Sequence, residues 1–292
     1  MSTEYGILLK GIGSFYEVLT DAKESVTCKA RGLFRKEHMV PTVGDRVEFM
    51  RQPQGYALIT QILPRKNLLI RPPVANIDRI FLVVSASVPE PDWMLLDEMI
   101  LEAERLHIEP IPVMNKVDTD EEPIRQFLTE YSAFHPICVS AHSGDGLEQL
   151  RQLMEGCVSC FAGQSAVGKS SLLNALFSDL HLTVGELSAK TERGKHTTRH
   201  AELLPYANGA VLDTPGFSLW EASPMEQEEL NRLYPEFSDA PFPCRYPDCM
   251  HDTEPNCGVK ELLATGELTM GRYERYLRIA HEHQQRRKHR YD

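Results

Sequence analysis

Up to about residue 70, apolar and polar positions alternate in short runs, with Gly11, Gly13, Gly44 and Gly55 between them. The alternation is plain in Arg46-Val47-Glu48-Phe49. Period-two runs punctuated by turn residues predict strands over 5–10, 15–19, 25–34, 46–50 and 57–63. Five short strands without a helix fit a small closed barrel. The OB-type barrel is the best-known five-stranded form, and an SH3-like barrel fits the same periodicity. Arg71-Pro72-Pro73 then reads as a strand end and a stiff linker.

The pattern changes beyond it. DRIFLVVSA at 78–86 is a nearly continuous apolar run, as expected of a buried parallel strand. Residues 92–106 have helical spacing, with Leu95, Leu96, Met99, Ile100 and Ala103 on one face. Strands follow at 109–114, 136–140 and 158–162, helices at 122–131, 146–154 and 169–177, and two last strands at 202–205 and 210–212. This alternation predicts a doubly wound α/β unit over 74–219. Residues 225–234 and 258–290 read as helices around a Pro- and Cys-rich loop at 240–257. The expected division is a barrel over 1–70, the α/β unit over 74–219 and a helical unit over 220–292.

A chain of 292 residues has room for two or three domains, and 42% hydrophobic content is ordinary for a soluble protein. No uninterrupted apolar stretch approaches the ~18 residues of a membrane helix, so no membrane partner is expected. Met1-Ser2-Thr3-Glu4-Tyr5 lacks the basic and apolar regions of a secretory signal. The 7 cysteines show no small-domain disulfide spacing, which fits a cytoplasmic protein. A net charge of −11 argues against indiscriminate coating of nucleic acid. The charge is uneven, however. Residues 1–70 carry 10 Lys and Arg against 7 Asp and Glu, a balance of +3, and Arg286, Arg287, Lys288 and Arg290 crowd the end. A monomer is expected.

Gly163-Gln164-Ser165-Ala166-Val167-Gly168-Lys169-Ser170 is a complete GxxxxGK[ST] phosphate loop, with Ser171 next in the helix that follows. Its backbone N–H groups are expected to cradle the β-phosphate, helped by the helix dipole. Lys169 is expected to bridge the β- and γ-phosphates, and Ser170 to ligate magnesium. Asp213-Thr214-Pro215-Gly216 is a DxxG segment, in which Asp213 reaches the metal through water. Asn115-Lys116-Val117-Asp118 is an NKxD motif at a strand's carboxyl end, where α/β sheets bind ligands. Asp118 can accept from guanine N1–H and the exocyclic amine, which adenine cannot reproduce. Asn115 is expected to brace the loop and the stem of Lys116 to cover the base. Ser140-Ala141 reads as the second base loop, with the Ala141 N–H facing guanine O6. The base motif precedes the phosphate loop, so the GTP site is circularly permuted.

The polar stretch 185–200 reads as a switch loop ordered by γ-phosphate and magnesium. Thr198, or Thr197, is the candidate second hydroxyl on the metal; both also read as solvated loop residues. Phe217 stands where many GTPases carry a water-orienting Gln, and His196 is the nearest replacement, or else an exposed loop histidine. Cys244, Cys249, His251 and Cys257 follow C-x₄-C-x-H-x₅-C, the pattern of a closed structural zinc site. A metal supplies stability that such a Pro-rich loop lacks. Cys28, Cys138, Cys157 and Cys160 read as core.

The permuted order of NKVD, Ser-Ala, GQSAVGKSS, GKHTT and DTPGF resembles the circularly permuted, ribosome-small-subunit-dependent GTPases of bacteria, the RsgA/YjeQ family. The barrel and the Cys/His segment match as well, so the resemblance covers essentially the whole chain. It implies an OB-fold that contacts ribosomal RNA, a zinc domain that docks on the small (30S) subunit, and GTP hydrolysis to GDP during late assembly. It implies further that His196 is the catalytic switch histidine and Phe217 the hydrophobic replacement for Gln. Ala166 departs from the family's usual Gly. The loop also lacks the Asn of potassium-activated GTPases. Two readings follow: a GTPase whose hydrolysis times its release from the subunit, or a nucleotide-gated RNA-binding module in which hydrolysis is incidental.

Overall fold

The structure is a computed structural model that describes residues 3–30, 34, 40–53, 55–70, 72–119, 122–177, 201–213 and 224–288. Strands β1 (Thr3–Ile12), β2 (Phe15–Thr20), β3 (Ser25–Ala30), β4 (Arg46–Met50) and β5 (Ala57–Ile62) close a barrel in the order β1-β2-β3-β5-β4. The β3–β5 pair is parallel and β1 closes on β4, the arrangement of an OB-type barrel. The inward positions of the alternation, Leu8, Val18, Cys28, Val47, Phe49 and Ile59, fill its core.

The paired prolines do not make a linker. β6 (Leu68–Ile70) pairs antiparallel with β7 (Pro73–Ala75), and the prolines lie where this short hairpin turns. A strand's first residue can spare its N–H, so Pro73 costs the ladder nothing.

The second sheet runs β10-β9-β8-β11-β13-β12, from β8 (Arg79–Ser85), β9 (Glu109–Asn115), β10 (Ile137–Cys138), β11 (Val158–Ala162), β12 (Glu202–Tyr206) and β13 (Gly209–Asp213). Every pairing is parallel except β12–β13. That hairpin turns on Ala207 and Asn208, both at positive φ (44° and 61°), as a two-residue turn matched to strand twist requires. Helices α1 (Trp93–Arg105) and α2 (Glu122–Glu130) cover one face, α3 (Leu147–Met154) and α4 (Lys169–Phe177) the other. In β8, Ile80, Leu82 and Val84 join Leu96, Ile100 and Phe127, while Phe81 and Val83 join Leu150, Leu172 and Leu176. Burial on both faces explains the nearly unbroken apolar run.

Beyond the sheet come α5 (Gln227–Arg232), α6 (Gly258–Thr265) and α7 (Met270–Lys288). The expected helical stretch over 258–290 is divided into two helices. Gly266, at φ 80°, adopts the left-handed cap and donates to the Leu263 carbonyl, which stops α6. From α7, Arg272 and Arg275 reach the fully buried Asp97 of α1, each at 2.6 Å. Arg272 Nη1 lacks the alignment of a hydrogen bond, so its contact with Asp97 is an ion pair. Arg272 Nε donates to Glu236, Arg275 also reaches Glu130, and the Tyr131 hydroxyl donates to Asp97. The Arg272 guanidinium lies 4.5 Å from the Tyr234 ring centroid. This buried network fixes the C-terminal helices to the α/β unit.

Candidate functional site

Loops that leave β9, β10 and β11 meet at the carboxyl ends of those strands, and Asn115 joins them. Its side chain is 1% exposed; Nδ2 donates to the Val167 carbonyl at 2.9 Å, and Oδ1 accepts from Ala141 N at 3.2 Å. One amide therefore ties the phosphate loop to the second base loop across the permutation. Lys116, at φ 64°, sends Nζ to the Ala166 carbonyl at 3.0 Å and to the Val88 carbonyl. Val88 had no signal in the sequence.

Asp118 is exposed, and its Oδ1 accepts from Ser140 Oγ at 2.7 Å. That hydroxyl itself accepts from His142 N and Ser143 N, so its one proton goes to the carboxylate. The Ser140 bond, with backbone help, holds the Asp118 carboxyl below its usual range. Asp118 is thereby kept a charged acceptor, an effect of Ser140 that the motif alone did not give. The Ala141 N–H, expected to face the base, here serves Asn115.

In the phosphate loop, Gly163 sits at φ 137°, and an added Cβ would lie 2.1 Å from the Val83 carbonyl oxygen. Gly168 sits at φ 100°, where a Cβ would lie 2.3 Å from Asn115 Nδ2. Both positions need glycine. Ala166 also lies in the left-handed region, at φ 66°, at a cost of about 1–2 kcal/mol for a residue with a Cβ. Gln164 and Ser165 lead into Val167, which is buried, while Ser170 and Ser171 are exposed in the first turn of α4. Lys169 Nζ folds back onto the carbonyls of Gly163 (2.8 Å) and Gln164 (2.6 Å), and burial lowers its pKa. The ammonium thus lies against the loop that would carry phosphate. The backbone of Asp213 ends β13 opposite Glu202. His196, Thr197, Thr198, Gly216 and Phe217 lie outside the described residues.

The ligand atoms of Cys244, Cys249, His251 and Cys257 lie within 4.8 Å of one another. Cys244 Sγ and Cys257 Sγ are 3.8 Å apart, and His251 Nδ1 lies 3.5 and 3.2 Å from them. A tetrahedron with metal–sulfur bonds of ~2.3 Å has edges of about 3.8 Å, so the donors fit a four-coordinate metal ion. Burial lowers the His251 pKa to about 4, which keeps the imidazole in the neutral, ligating form. Burial also pushes the Cys249 and Cys257 thiols up. Binding a metal there releases their protons.

A parallel sheet with one antiparallel edge, a glycine-framed phosphate loop at a helix start and a base motif on earlier strands define a circularly permuted phosphate-loop GTPase. The RsgA GTPase family model matches residues 62–223 and the RsgA N-terminal domain model residues 5–59. A "Small ribosomal subunit biogenesis GTPase RsgA" from Geobacillus sp. (strain WCH70) is 42% identical over 288 residues, covering 97% of this chain and 98% of the relative. The protein of that name from Thermotoga maritima is 42% identical over 271 residues, 91% of each chain. The crystal structure of YjeQ from Thermotoga maritima aligns with TM-score 0.83 at 36% identity, over 96% of this chain and 98% of that one. The crystal structure of YloQ, described as a circularly permuted GTPase, aligns with TM-score 0.83 at 30% identity, over 98% and 96%. The chain belongs to the RsgA GTPase family, and it is a GTP hydrolase.

Proposed function

We propose that this GTPase binds the small ribosomal subunit and its RNA late in assembly, and that hydrolysis of GTP times its release. Full-length likeness to relatives named for small-subunit biogenesis carries this reading, since it includes the barrel and the Cys/His segment as well as the GTPase core. We divide the chain accordingly into a barrel over 1–70, a GTPase unit over 74–219 and a zinc-bearing helical unit over 220–292. The protein works as a cytoplasmic monomer. No described helix is long and apolar enough to cross a membrane.

In the nucleotide site Asp118 reads guanine, Asn115 and Lys116 brace the base loop, and Ser140 and Ala141 close it. Residues 163–171 cradle the phosphates, with Lys169 on the β- and γ-phosphoryl oxygens. Ser170 and Thr198 would hold magnesium, which would neutralise phosphate charge, with Asp213 assisting through water and Gly216 on the γ-phosphate side. Cys244, Cys249, His251 and Cys257 hold a structural zinc ion. His196 orients the attacking water, because Phe217 has no group that can. His196→Ala should erase most subunit-stimulated turnover with little change in GTP affinity; undiminished stimulation would exclude the role.

Co-sedimentation with purified small subunits tests the partner. A non-hydrolysable GTP analogue should retain the protein on the subunit and GDP should release it. Equal behaviour with both nucleotides would overturn the timing role, and no binding with either would overturn the partner.

A further inference from the structure

β12 begins at Glu202, four residues after Thr198, and β13 ends at Asp213, so the hairpin joins the two segments that the function proposed above assigns to γ-phosphate and magnesium. Among the described residues β12 is the sheet's edge, paired with β13, and it also contacts β1 of the barrel. The β1–β2 register shifts between Leu8 and Lys10, the mark of a bulge, and bulges re-aim side chains. Lys10 Nζ here lies 3.1 Å from Glu202 Oε1 and 2.9 Å from Glu17 Oε2. The three side chains are 33%, 28% and 32% exposed, so solvent screens the contact only in part. Ser25 Oγ donates to Glu17 and fixes it from the barrel side. At the hairpin's far end Lys23 Nζ donates to the Asn208 carbonyl at 3.4 Å. Beside these contacts lies a cavity of about 530 Å³, with Ile7 and Leu19 on the barrel side and Asn208 and Ala210 on the hairpin side. Along this side Lys10 and Lys23 bridge the barrel to the hairpin.

We propose that Lys10 is a positioning residue for GTP hydrolysis, carrying the barrel's position through Glu202 to the hairpin between the two phosphate-sensing segments. A partner docked on the barrel then sets the hydrolysis rate through this contact. The proposal rests on the reading that the small subunit is that partner. We extend the proposal to binding: the same contact links nucleotide in the site to the barrel's position, a coupling that is reciprocal in binding free energy, so the nucleotide state is felt at β1.

The test uses the full chain carrying Lys10→Glu, the milder Lys10→Gln, Glu202→Lys, and the Lys10→Glu/Glu202→Lys exchange. GTP turnover is measured with and without purified small subunits, alongside subunit binding. The single variants should lower the stimulated kcat about three- to tenfold, the scale of one partly buried ion pair. Basal kcat, KM and subunit binding should stay within about twofold of wild type. The charge exchange should restore stimulation. Unchanged stimulation in the single variants, an equal fall in basal and stimulated turnover, or failure of the exchange to rescue would overturn the proposal. A second arm omits the ribosome: hydrogen exchange of β1 amides is compared with a GTP analogue and with GDP. Wild type should show nucleotide-dependent protection around Lys10 that Lys10→Gln loses. No such difference in wild type would overturn the coupling. If subunits fail to stimulate the wild type while this protection is present, the ribosomal reading fails and the coupling stands.

Discussion

Asp118 is proposed to read guanine, and its surroundings bear on that role. A carboxylate on an exposed loop gains selectivity only if it stays charged and keeps its direction. Ser140 does both by spending its single proton on Oδ1 while two backbone N–H groups fix its oxygen. Because the folded pKa is depressed, the charged acceptor persists as pH falls, and guanine binding is lost only when pH drops through that lowered value. Asp118→Asn exchanges a bidentate charged acceptor for one acceptor and one mismatched donor. GTP affinity should fall about a hundredfold in a fluorescence titration, with partial rescue by xanthosine triphosphate, whose C2 carbonyl accepts from the amide. Wild-type GTP affinity in the variant would remove Asp118 as the base reader. The motif residues were legible because their types are set by chemistry at fixed spacing. The partners Val88 and Ser140 Oγ were not, since backbone carbonyls and serine hydroxyls occur everywhere in a sequence.

Among the elements, periodicity located most strands and helices, and it failed where tertiary contacts overrode it. In α1, Leu96, Met99, Ile100 and Ala103 of the expected apolar face are buried, yet Asp97 and Leu101 are buried too, because α7 covers the side that spacing assigned to solvent. No local pattern distinguishes a buried Asp from an exposed one when its arginines lie ~175 residues away. Asp97→Ala leaves Arg272 and Arg275 facing a vacated site and should cost about 3–5 kcal/mol, read as a lower urea midpoint for α7. A loss below ~1 kcal/mol would show that the pair is not holding the helices. The Gly266 break did have a local signal, a glycine followed by Thr269, but apolar spacing runs on through it. That the four Cys/His side chains come together was legible, since ligand spacing is itself the signal. Purified protein should carry about one zinc ion, and a chelator should unfold 240–257 while GTP binding persists. A folded, zinc-free loop would refute the assignment.

For the molecule as a whole, permutation places β9 and β10, which carry the NKxD and Ser-Ala motifs, before β11 and β13, which carry the phosphate loop and DxxG, yet sheet order reunites them through β8. The new chain ends face other units: the barrel enters before β8, and the C-terminal helices leave after β13. The site's base and phosphate halves are therefore held in one rigid sheet, with Asn115 as the tie. The family's fold was legible from motif order alone. How its units touch was not, because Lys10–Glu202 and Asp97–Arg272 join residues with no shared local pattern.

The most direct test is multiple-turnover GTP hydrolysis by the wild-type chain with and without purified small ribosomal subunits at fixed salt. The account predicts slow turnover alone and at least about tenfold acceleration by the subunit, since a docked partner completes a site that lacks its water-orienting Gln. Equal turnover in both conditions, with the protein bound to the subunit, would contradict it and leave a nucleotide-gated RNA-binding module in its place.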